Sequence, residues 1–307
     1  MRKRIGLTGG TGFIGQQLIR DFGDEYEFVA VTSRDDCSGL CQKAEYRKTA
    51  YDASGFTNAF GDCEALVHLG ASIPGRVTDT GSMADYYENV LSSEALFSAA
   101  GKCSIRQIIN ISSVSVYNKK EQMPLKESMR MKPDNSYGLS KATVEMMSDI
   151  YKEKYGYSVT TLRVSQVLGY KKRLRNLANG FYSMLFSNAL CDRDITILGK
   201  GIAARDYIYV RDVCGAIACS LERPEKSGAY NIGSGKATSN TALAQAFVSG
   251  MKSNSNIVHL ETNNEDDRYW FMDISRAQKE LGFSVRFDAE AMAWDMKREM
   301  ELAEGLA

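Results

Sequence analysis

Short apolar runs alternate with longer amphipathic stretches along the first half of the chain. The apolar runs are residues 4–8, 27–32, 65–70, 106–112 and 158–164. The stretches between them with helical length and composition are residues 12–22, 82–101 and 136–155. Several runs are almost continuously apolar, which is typical of a parallel sheet covered on both faces. The alternation predicts an α/β fold with a doubly wound parallel sheet that binds ligands at the carboxyl ends of its strands.

This alternation ends after the fifth apolar run. A basic, irregular segment at 171–176 follows, a helix is predicted at 177–190, and later strands and helices are shorter. We therefore expect a first domain over residues 1–164 and a smaller lobe, mainly over residues 165–307, that closes over the crevice. Within the second half, the segment from about 203 to 229 is expected to pack back onto the first domain.

A glycine-rich turn joins the first predicted strand to the first predicted helix. Residues 8–15 read Thr-Gly-Gly-Thr-Gly-Phe-Ile-Gly. Gly9 allows a tight turn, Gly12 lets the backbone approach a pyrophosphate, and Gly15 lets helix and strand pack closely. The helix N-terminus, with its unpaired amides, favours the negative phosphates. Since a strand precedes and a helix follows, a glycine turn without a ligand is the weaker interpretation. The first domain is therefore predicted to bind a dinucleotide on a Rossmann sheet.

Size and charge narrow the class of protein. The chain has 307 residues, of which 44% are hydrophobic and 25% charged, enough for a substantial core. Its formal net charge is zero and its pI is about 6.8, which argues against nucleic-acid binding and against a polybasic membrane surface. No apolar run approaches the ~18 residues of a membrane-spanning helix. The basic N-terminus leads into a strand rather than into a signal-peptide core.

The cysteines and histidines do not form a metal or disulfide pattern. Seven cysteines at irregular spacing do not suggest a disulfide framework, and a reducing cytoplasm is the compartment they favour. Cys37 and Cys41 have the spacing of a redox or metal pair. Because the chain has only two histidines and no second cysteine pair at zinc spacing, we predict no metal site. His68, inside an apolar run, is interpreted as a core residue with satisfied hydrogen bonds.

One tyrosine has the surroundings of an acid–base group. Of the 16 tyrosines, only Tyr137 has a lysine four residues on, Lys141, and residues with this spacing share one helix face. An ammonium beside a phenol lowers the pKa of the phenol, normally about 10. Such a tyrosine can exchange protons with a sugar or alcohol oxygen near neutral pH. Ser113, at the end of a predicted strand, is expected to face the same crevice as the glycine loop.

These motifs resemble the extended short-chain dehydrogenase/reductases, in the branch of nucleotide-sugar epimerases, dehydratases and ketoreductases. The resemblance covers nearly the whole chain. Its motifs are residues 8–15, 68–71, 89–90, 112–117, 137–141, 162–169, 204–213, 230–235 and 273–277. It implies that Tyr137 is the acid/base, that Lys141 orients it and holds the nicotinamide ribose, and that Ser113 hydrogen-bonds the reacting oxygen.

The resemblance also implies a cofactor site. The implied contacts are Gly9, Thr11, Gly12, Phe13, Ile14, Gly15, Ser33, Arg34, Asp52, Leu69, Gly70, Ala71, Asn89, Tyr137 and Lys141. Asp52 matches a position that contacts the adenine, and Asn89 a helix position near the cofactor. Each of these two is equally well interpreted as a surface or packing residue.

The sequence departs from NAD-preferring relatives at the end of the second strand. Those relatives place an acidic residue there, whereas this chain has Ser33 and Arg34. A guanidinium suits a 2′-phosphate through charge-assisted bonds. We therefore favour NADP over NAD as the cofactor. The alternative is a solvated Arg34, with Asp35 or Asp36 reaching back to the ribose.

A second departure concerns the reaction. Dehydratases of the branch carry an acidic residue, often an Asp-Glu pair, at the positions held here by Val114 and Ser115. Elimination of water needs a base and an acid, and neither residue fills those roles well. The sequence therefore favours hydride transfer without dehydration.

The predicted substrate contacts rest on the second half of the chain. Arg205 matches the position at which sugar-nucleotide enzymes of the branch hold the diphosphate, although it could instead pair with Asp206 or another carboxylate. Gln166 replaces a frequent phosphate-contacting asparagine, and Arg268 lies near, but displaced from, a second common arginine. The basic segment at 171–176 could add positive charge.

Three functional hypotheses follow. The first is hydride transfer at C4 of a nucleotide sugar, in which we favour an NADPH-dependent 4-ketoreductase over an NAD-dependent 4-epimerase. The second is reduction of a non-sugar ketone, and the third a non-catalytic NADP-sensing protein. The resemblance further implies a homodimer through the helices at 82–101 and 136–155, with Met147, Ile150 and Tyr151 as apolar candidates on the second helix.

Overall fold

A central parallel sheet is flanked by helices in the computed structural model, which describes residues 2–73, 83–170 and 180–305. In chain order the strands are β1 (Arg4–Thr8), β2 (Glu27–Thr32), β3 (Ala44–Lys48), β4 (Ala65–His68), β5 (Gln107–Ser113), β6 (Ser158–Val164), β7 (Gln166–Leu168), β8 (Ile195–Leu198), β9 (Ala204–Arg205), β10 (Tyr207–Tyr209), β11 (Gly228–Ile232), β12 (Thr238–Ser239), β13 (Ile257–Leu260) and β14 (Tyr269–Trp270). The helices are α1 (Phe13–Phe22), α2 (Ala53–Phe60), α3 (Ala84–Ala100), α4 (Ser136–Tyr155), α5 (Phe181–Leu190), α6 (Val210–Leu221), α7 (Asn240–Met251), α8 (Ser275–Leu281) and α9 (Ala289–Ala303).

The central sheet has seven strands in the order β11-β6-β5-β4-β1-β2-β3. All of its pairings are parallel, which confirms the predicted fold class. The strand order reverses beside β1, so the carboxyl ends of β1 and β4 border a crevice, as expected at a topological switch point. Thr8 is the register partner of His68 across this pair. The residues that follow these two strands therefore lie side by side.

The apolar runs fill both faces of the sheet, as their continuous pattern predicted. Alternate residues of a strand point to opposite faces, and in β5 Ile108 joins the cluster under α3 and α4, whereas Ile109 joins the larger cluster under α1 and α6. Both side chains are fully buried. This two-sided packing holds the carboxyl ends of the strands in fixed relative positions.

Three predicted strands have the observed bounds: 4–8, 27–32 and 158–164. The run at 65–70 ends as a strand at His68, and the run at 106–112 is shifted by one residue. Within the first 164 residues, strand β3 and helix α2 were not predicted. β3 is an edge strand of sequence Ala-Glu-Tyr-Arg-Lys with no buried position, so it lacks the apolar signal of an inner strand.

The second half of the chain contributes both to the central sheet and to a set of smaller sheets. β11 pairs with β6 at the edge of the central sheet, and α6 packs on α1. β10 pairs with β7, β9 lies between β12 and β14, and β8 pairs with β13. The boundaries 1–164 and 165–307 stay a prediction. The basic segment at 171–176 and part of the predicted helix at 177–190 lie outside the described residues. None of the helices the structure describes is long and apolar enough to span a bilayer.

Candidate active site

The glycine loop has the backbone that its sequence predicted. Gly9 lies at φ +69°, in the left-handed region that favours glycine, and its carbonyl accepts from Gly12 N at 2.9 Å. A Cβ on Gly15 would lie 2.7 Å from the Cα of Gly10, so only glycine lets α1 start this close to the turn. Gly12 is exposed, supplies no capping side chain, and has open space around it apart from the Gly9 carbonyl. The first turn of α1 contains no acidic residue, so this helix N-terminus fits a phosphate.

The segment after β4 lies against the glycine loop. A Cβ on Gly9 would be 2.8 Å from Gly70 N, and Gly70 N donates to Thr8 Oγ1 at 3.1 Å. Leu69 N in turn donates to the Thr8 carbonyl at 3.3 Å. The structure thus brings Leu69 and Gly70 beside Gly9.

Asn89 and His68 fix the segment after β4 through hydrogen bonds. Asn89 is buried; its Oδ1 accepts from Ser72 N at 2.6 Å, and its Nδ2 donates to the Ser72 carbonyl at 2.9 Å. His68 is buried and hydrogen-bonded to Thr8 Oγ1 at 2.7 Å and Ser93 Oγ at 2.8 Å, which confirms its interpretation as a satisfied core residue. Burial lowers the pKa of His68 to about 3, and the nearby Lys141 charge adds to the shift. Asn89 therefore positions the loop, as its packing interpretation proposed.

Ser113 and Tyr137 face each other because α4 begins against the turn that follows β5. Gly138 lies so close to this turn that a Cβ there would contact the Ser115 carbonyl oxygen and lie 3.0 Å from Pro133 Cβ. The Ser113 hydroxyl faces the Tyr137 phenol and lowers its pKa. The predicted convergence of the serine and the tyrosine is thus present in the structure.

Lys141 lies one helical turn beyond Tyr137 and is buried. Its Nζ donates to the Ile111 carbonyl at 2.8 Å and lies 5.9 Å from the centre of the Tyr137 ring. Burial lowers the pKa of Lys141 to about 8, opposed by the negative charge of Glu145. The expected lowering of the Tyr137 pKa was wrong: burial raises it to about 12, and only the Ser113 hydrogen bond acts in the other direction. The cost of burying a phenolate outweighs the opposing effect of Ser113.

The segment after β2 leaves Arg34 available to a ligand. Ser33 and Arg34 are exposed, and the Arg34 side chain makes no hydrogen bond or ion pair with the part of the chain that the structure describes. Asp35 pairs with Lys48, and Asp36 accepts from Ser38 N at 2.8 Å. Both carboxylates that could have replaced Arg34 at a ribose therefore have partners of their own.

Asp52 has a structural role at the surface. It is the N-cap of α2, and its Oδ1 accepts from Gly55 N at 2.8 Å. Capping residues of this type satisfy amides that a helix start leaves unpaired. This is the surface alternative left open for Asp52, and its contact with an adenine remains a prediction.

Arg205 pairs with an acid that the sequence did not single out. Its Nη2 lies 2.6 Å from Asp266 Oδ2, and Arg268 binds the same carboxylate at 2.5 Å and 2.7 Å. The two arginines hold the pKa of Asp266 at about 2, although burial acts the other way. The alternative of an internal ion pair is thus correct for Arg205, with Asp266 rather than Asp206 as partner. Two guanidiniums sharing one carboxylate still leave a net positive charge.

A third cation lies close to this pair. Lys119 Nζ is 5.6 Å from the centre of the Trp270 ring, and Trp270 is the register partner of Arg205 in β9. Burial lowers the pKa of Lys119, Asp134 raises it, and Arg268 and Arg205 lower it further. Since Lys119 follows Ser113 by only six residues, the positive charge extends from the Arg205 pair towards the carboxyl end of β5.

Asp206 is a buried carboxylate that sequence reasoning treated only as a neighbour of Arg205. It accepts from Ser234 N at 2.7 Å, Ser234 Oγ at 2.8 Å and Met272 N at 3.2 Å. Burial raises its pKa, and these hydrogen bonds oppose that shift. Asp206 therefore ties three segments of the lobe together beneath Arg205. The signal in the sequence was an acid flanked by two apolar stretches, residues 202–204 and 207–210. Gln166 is exposed, and its backbone amide donates to the Asp206 carbonyl at 3.2 Å.

Comparison with known proteins agrees with this geometry. Residues 5–233 match the sequence model of the "NAD dependent epimerase/dehydratase family". The chain is 28% identical to the mouse dTDP-D-glucose 4,6-dehydratase, covering 96% of this chain and 84% of that protein. It is 27% identical to the Escherichia coli dTDP-4-dehydro-6-deoxyglucose reductase, covering 90% of this chain and 91% of that protein.

Solved structures of the same fold include the UDP-N-acetylglucosamine 4-epimerase from Bacillus cereus. That structure superposes with a TM-score of 0.83 at 25% identity, covering 97% of this chain and 96% of the other. The match includes the glycine loop and covers the central sheet, whose strands run from Arg4 to Ile232, except for the first residue of β1. The chain therefore belongs to the NAD dependent epimerase/dehydratase family.

Proposed function

We propose that this protein transfers hydride at C4 of a nucleotide-activated sugar, as a net 4-ketoreductase. The observation that supports it best is that the Ser113 hydroxyl faces the Tyr137 phenol, with Lys141 one turn away. A bound nicotinamide would supply or accept the hydride, and the glycine loop with Leu69–Ala71 would hold the dinucleotide.

The residues of this chain handle the proton. In the reductive direction the carbonyl carbon gains the hydride, and its oxygen takes the phenol proton of Tyr137. Ser113 donates a hydrogen bond to the same oxygen as negative charge develops there. The Lys141 ammonium stabilises the phenolate left behind, because an opposite charge nearby favours the ionised form. General acid–base transfer of this kind contributes about 10²–10⁴ to a rate.

A 4-epimerase is the second candidate. The solved structure from Bacillus cereus is that of a UDP-N-acetylglucosamine 4-epimerase, whereas a reductase stands among the sequence relatives. Both reactions use the same proton chemistry at C4. They differ in whether the cofactor is consumed, so the cofactor decides between them.

Dehydration is disfavoured by the residues beside Ser113, although a dehydratase is among the relatives. Val114 and Ser115 are both buried, and Ser115 N donates to Ser113 Oγ at 3.1 Å. Neither side chain supplies the carboxylate that would remove a C5 proton or protonate a leaving hydroxyl.

The decisive assay is a panel of UDP-, dTDP-, GDP- and CDP-sugars with their 4-keto derivatives. Sugar product and absorbance at about 340 nm, the band of a reduced nicotinamide, are recorded together. Stoichiometric oxidation of NADPH with a 4-keto sugar would support the reductase. Interconversion of two sugars with no net absorbance change would support the epimerase. Turnover of neither class would contradict the proposal.

We infer a preference for NADP from Arg34, which is exposed and whose side chain has no partner among the residues that the structure describes. Its guanidinium would pair with the 2′-phosphate, since Asp35 and Asp36 are engaged elsewhere. Arg34→Ala should raise KM for NADPH about tenfold and leave KM for NADH within a factor of about two. An unchanged ratio of the two KM values would exclude this role.

A homodimer through α3 and α4 is also proposed. These helices pack together, and Tyr87, Leu91, Met146 and Ile150 expose apolar surface on them. Of the candidates from sequence, Ile150 is 67% exposed, whereas Met147 and Tyr151 pack partly against the core. Light scattering should give a mass of two chains for the wild type. Ile150→Glu should shift the measured mass towards that of a single chain. A monomeric wild type would contradict the dimer.

A further inference from the structure

A buried ion pair lies directly behind the catalytic residues. Glu145 follows Lys141 by one helical turn in α4, so the side chains of Tyr137, Lys141 and Glu145 share one face of the helix. Glu145 is 6% exposed and its partner Arg163, in β6, is 5% exposed. The mechanism proposed above gives neither residue a role.

Glu145 joins the helix to the catalytic strand. Its Oε2 accepts from Arg163 Nη2 at 2.7 Å and from Nε at 3.0 Å, and its Oε1 accepts from the hydroxyl of Ser112. Ser112 is the residue immediately before Ser113 in β5. A single carboxylate therefore connects α4, which carries Tyr137, to β6 and to the end of β5, which carries Ser113.

The network continues towards the lobe. Arg163 Nη1 donates to the Tyr117 hydroxyl at 2.8 Å, and that hydroxyl donates to Asn231 Oδ1 at 2.8 Å. Asn231 Nδ2 donates to the Leu125 carbonyl at 3.0 Å. Each of these side chains is buried. The catalytic strand, the turn after it and the last strand of the sheet are thus joined by charge-assisted and neutral hydrogen bonds.

We propose that Glu145, held by Arg163, is a positioning residue that fixes Ser113 through Ser112 and stabilises the charged form of Lys141. This role rests on the proposed hydride-transfer function. A buried ion pair is a weak source of net stability, because desolvation of two charges offsets their attraction. The carboxylate lies on the helix of Tyr137 and binds the neighbour of Ser113, which gives it a use that an apolar pair of the same volume would lack.

The charged groups around Lys141 define the expected direction of the effect. Lys141 is faced by Glu145 from its own helix, by neutral His68 from β4, by Tyr137, and by the Ile111 carbonyl from β5. Glu145 is the negative charge among them and raises the pKa of Lys141. Removing that charge also leaves Arg163 unpaired, which acts in the same direction. Lys141 should therefore lose its proton at lower pH.

The test is Glu145→Gln, with Asp295→Asn as the matched control. Asp295 is likewise buried, lies 3.0 Å from Arg211 Nε and accepts from the Tyr209 hydroxyl at 2.7 Å, but it belongs to α9. Lys141 is titrated in protein labelled with [¹³Cε]lysine, its signal being assigned with Lys141→Arg. We expect its pKa to fall by about one or more units in Glu145→Gln and to stay unchanged in Asp295→Asn. Equal behaviour of the two variants would overturn the electrostatic role.

Ser112→Ala tests positioning with the ion pair kept intact. It should lower kcat by about tenfold or more while KM changes by less than about threefold, because misplacement of a reacting group costs rate rather than binding. An unchanged kcat would overturn the positioning role. If Glu145→Gln fails to fold, the positioning role is tested by Ser112→Ala together with titration of Lys141 in Glu145→Asp. Aspartate keeps the negative charge and shortens its reach. The titration needs no substrate, so its failure is distinct from failure of the hydride-transfer proposal.

Discussion

The molecule places positive charge in two regions that differ in their surroundings. In the first region, Lys141 is 4% exposed and is surrounded by residues of helix α4 and of strands β4 and β5. The side chains of Arg205 and Arg268, which share Asp266, are 17% and 62% exposed. A buried ammonium has a shifted pKa and costs stability, whereas partly solvated guanidiniums stay charged and are screened by salt. The first region suits proton chemistry and the second suits holding an anion.

Among these substitutions, Lys141→Met, in the buried region, should have the largest effect. Turnover should fall by about 10²-fold or more, on the scale of acid–base catalysis. At pH 7 the free energy of unfolding should rise by about 1–3 kcal/mol, because burial lowers the pKa of Lys141 to about 8 from 10.5. Assay of turnover and urea denaturation of the same preparation measure both effects.

The difference in stability between Lys141→Met and the wild type should change with pH. Between pH 8 and 10.5 the unfolded wild type binds more protons at this lysine than the folded protein does, so wild-type stability rises with pH there. The advantage of the methionine variant should shrink across that window. Lys154→Met, at the exposed end of the same helix, is the control and should leave turnover unchanged. A methionine variant that is less stable at every pH would contradict this account.

Arg205→Ala, in the second region, should weaken substrate binding, with a smaller effect than that of Lys141→Met. We expect KM for the nucleotide sugar to rise about tenfold with kcat changed by less than about threefold, the pattern of lost ground-state binding. Arg268→Ala, which removes the more exposed partner of the same Asp266, should change KM by no more than about threefold. Steady-state kinetics at two salt concentrations make the comparison. Equal effects of the two variants would remove the distinction between them.

Substitution of His68 should have the smallest effect, which appears only in how the free energy of unfolding depends on pH. Its folded pKa of about 3 lies below the ordinary 6.5, so the unfolded chain binds more protons between these values. The contribution of neutral His68 is present above pH 6.5 and is lost as the pH falls towards 3. His68→Gln should therefore be less stable than wild type at pH 7, by about 1–3 kcal/mol, and the gap should narrow at pH 5. A gap that stays constant would show that His68 does not titrate in this way.

The same two regions show how far sequence could predict structure. Tyr137 with Lys141 and the glycines of the loop act through local spacing, so their arrangement followed from the chain order alone. The pairing of Arg205 with Asp266 depends on how distant segments meet in the lobe, which no local pattern encodes. The shift of the Tyr137 pKa was predicted in the wrong direction for a related reason. Proximity of a lysine is visible in the sequence, whereas the depth of burial that outweighs it is set by the whole fold.

The central claim is that Tyr137 transfers the proton at C4. Tyr137→Phe keeps the ring and removes the hydroxyl that meets Ser113. In a single-turnover experiment with the active sugar from the panel, we predict a rate at least about 10²-fold below wild type, with NADPH affinity within about twofold by fluorescence titration. A wild-type rate in this variant would contradict the account.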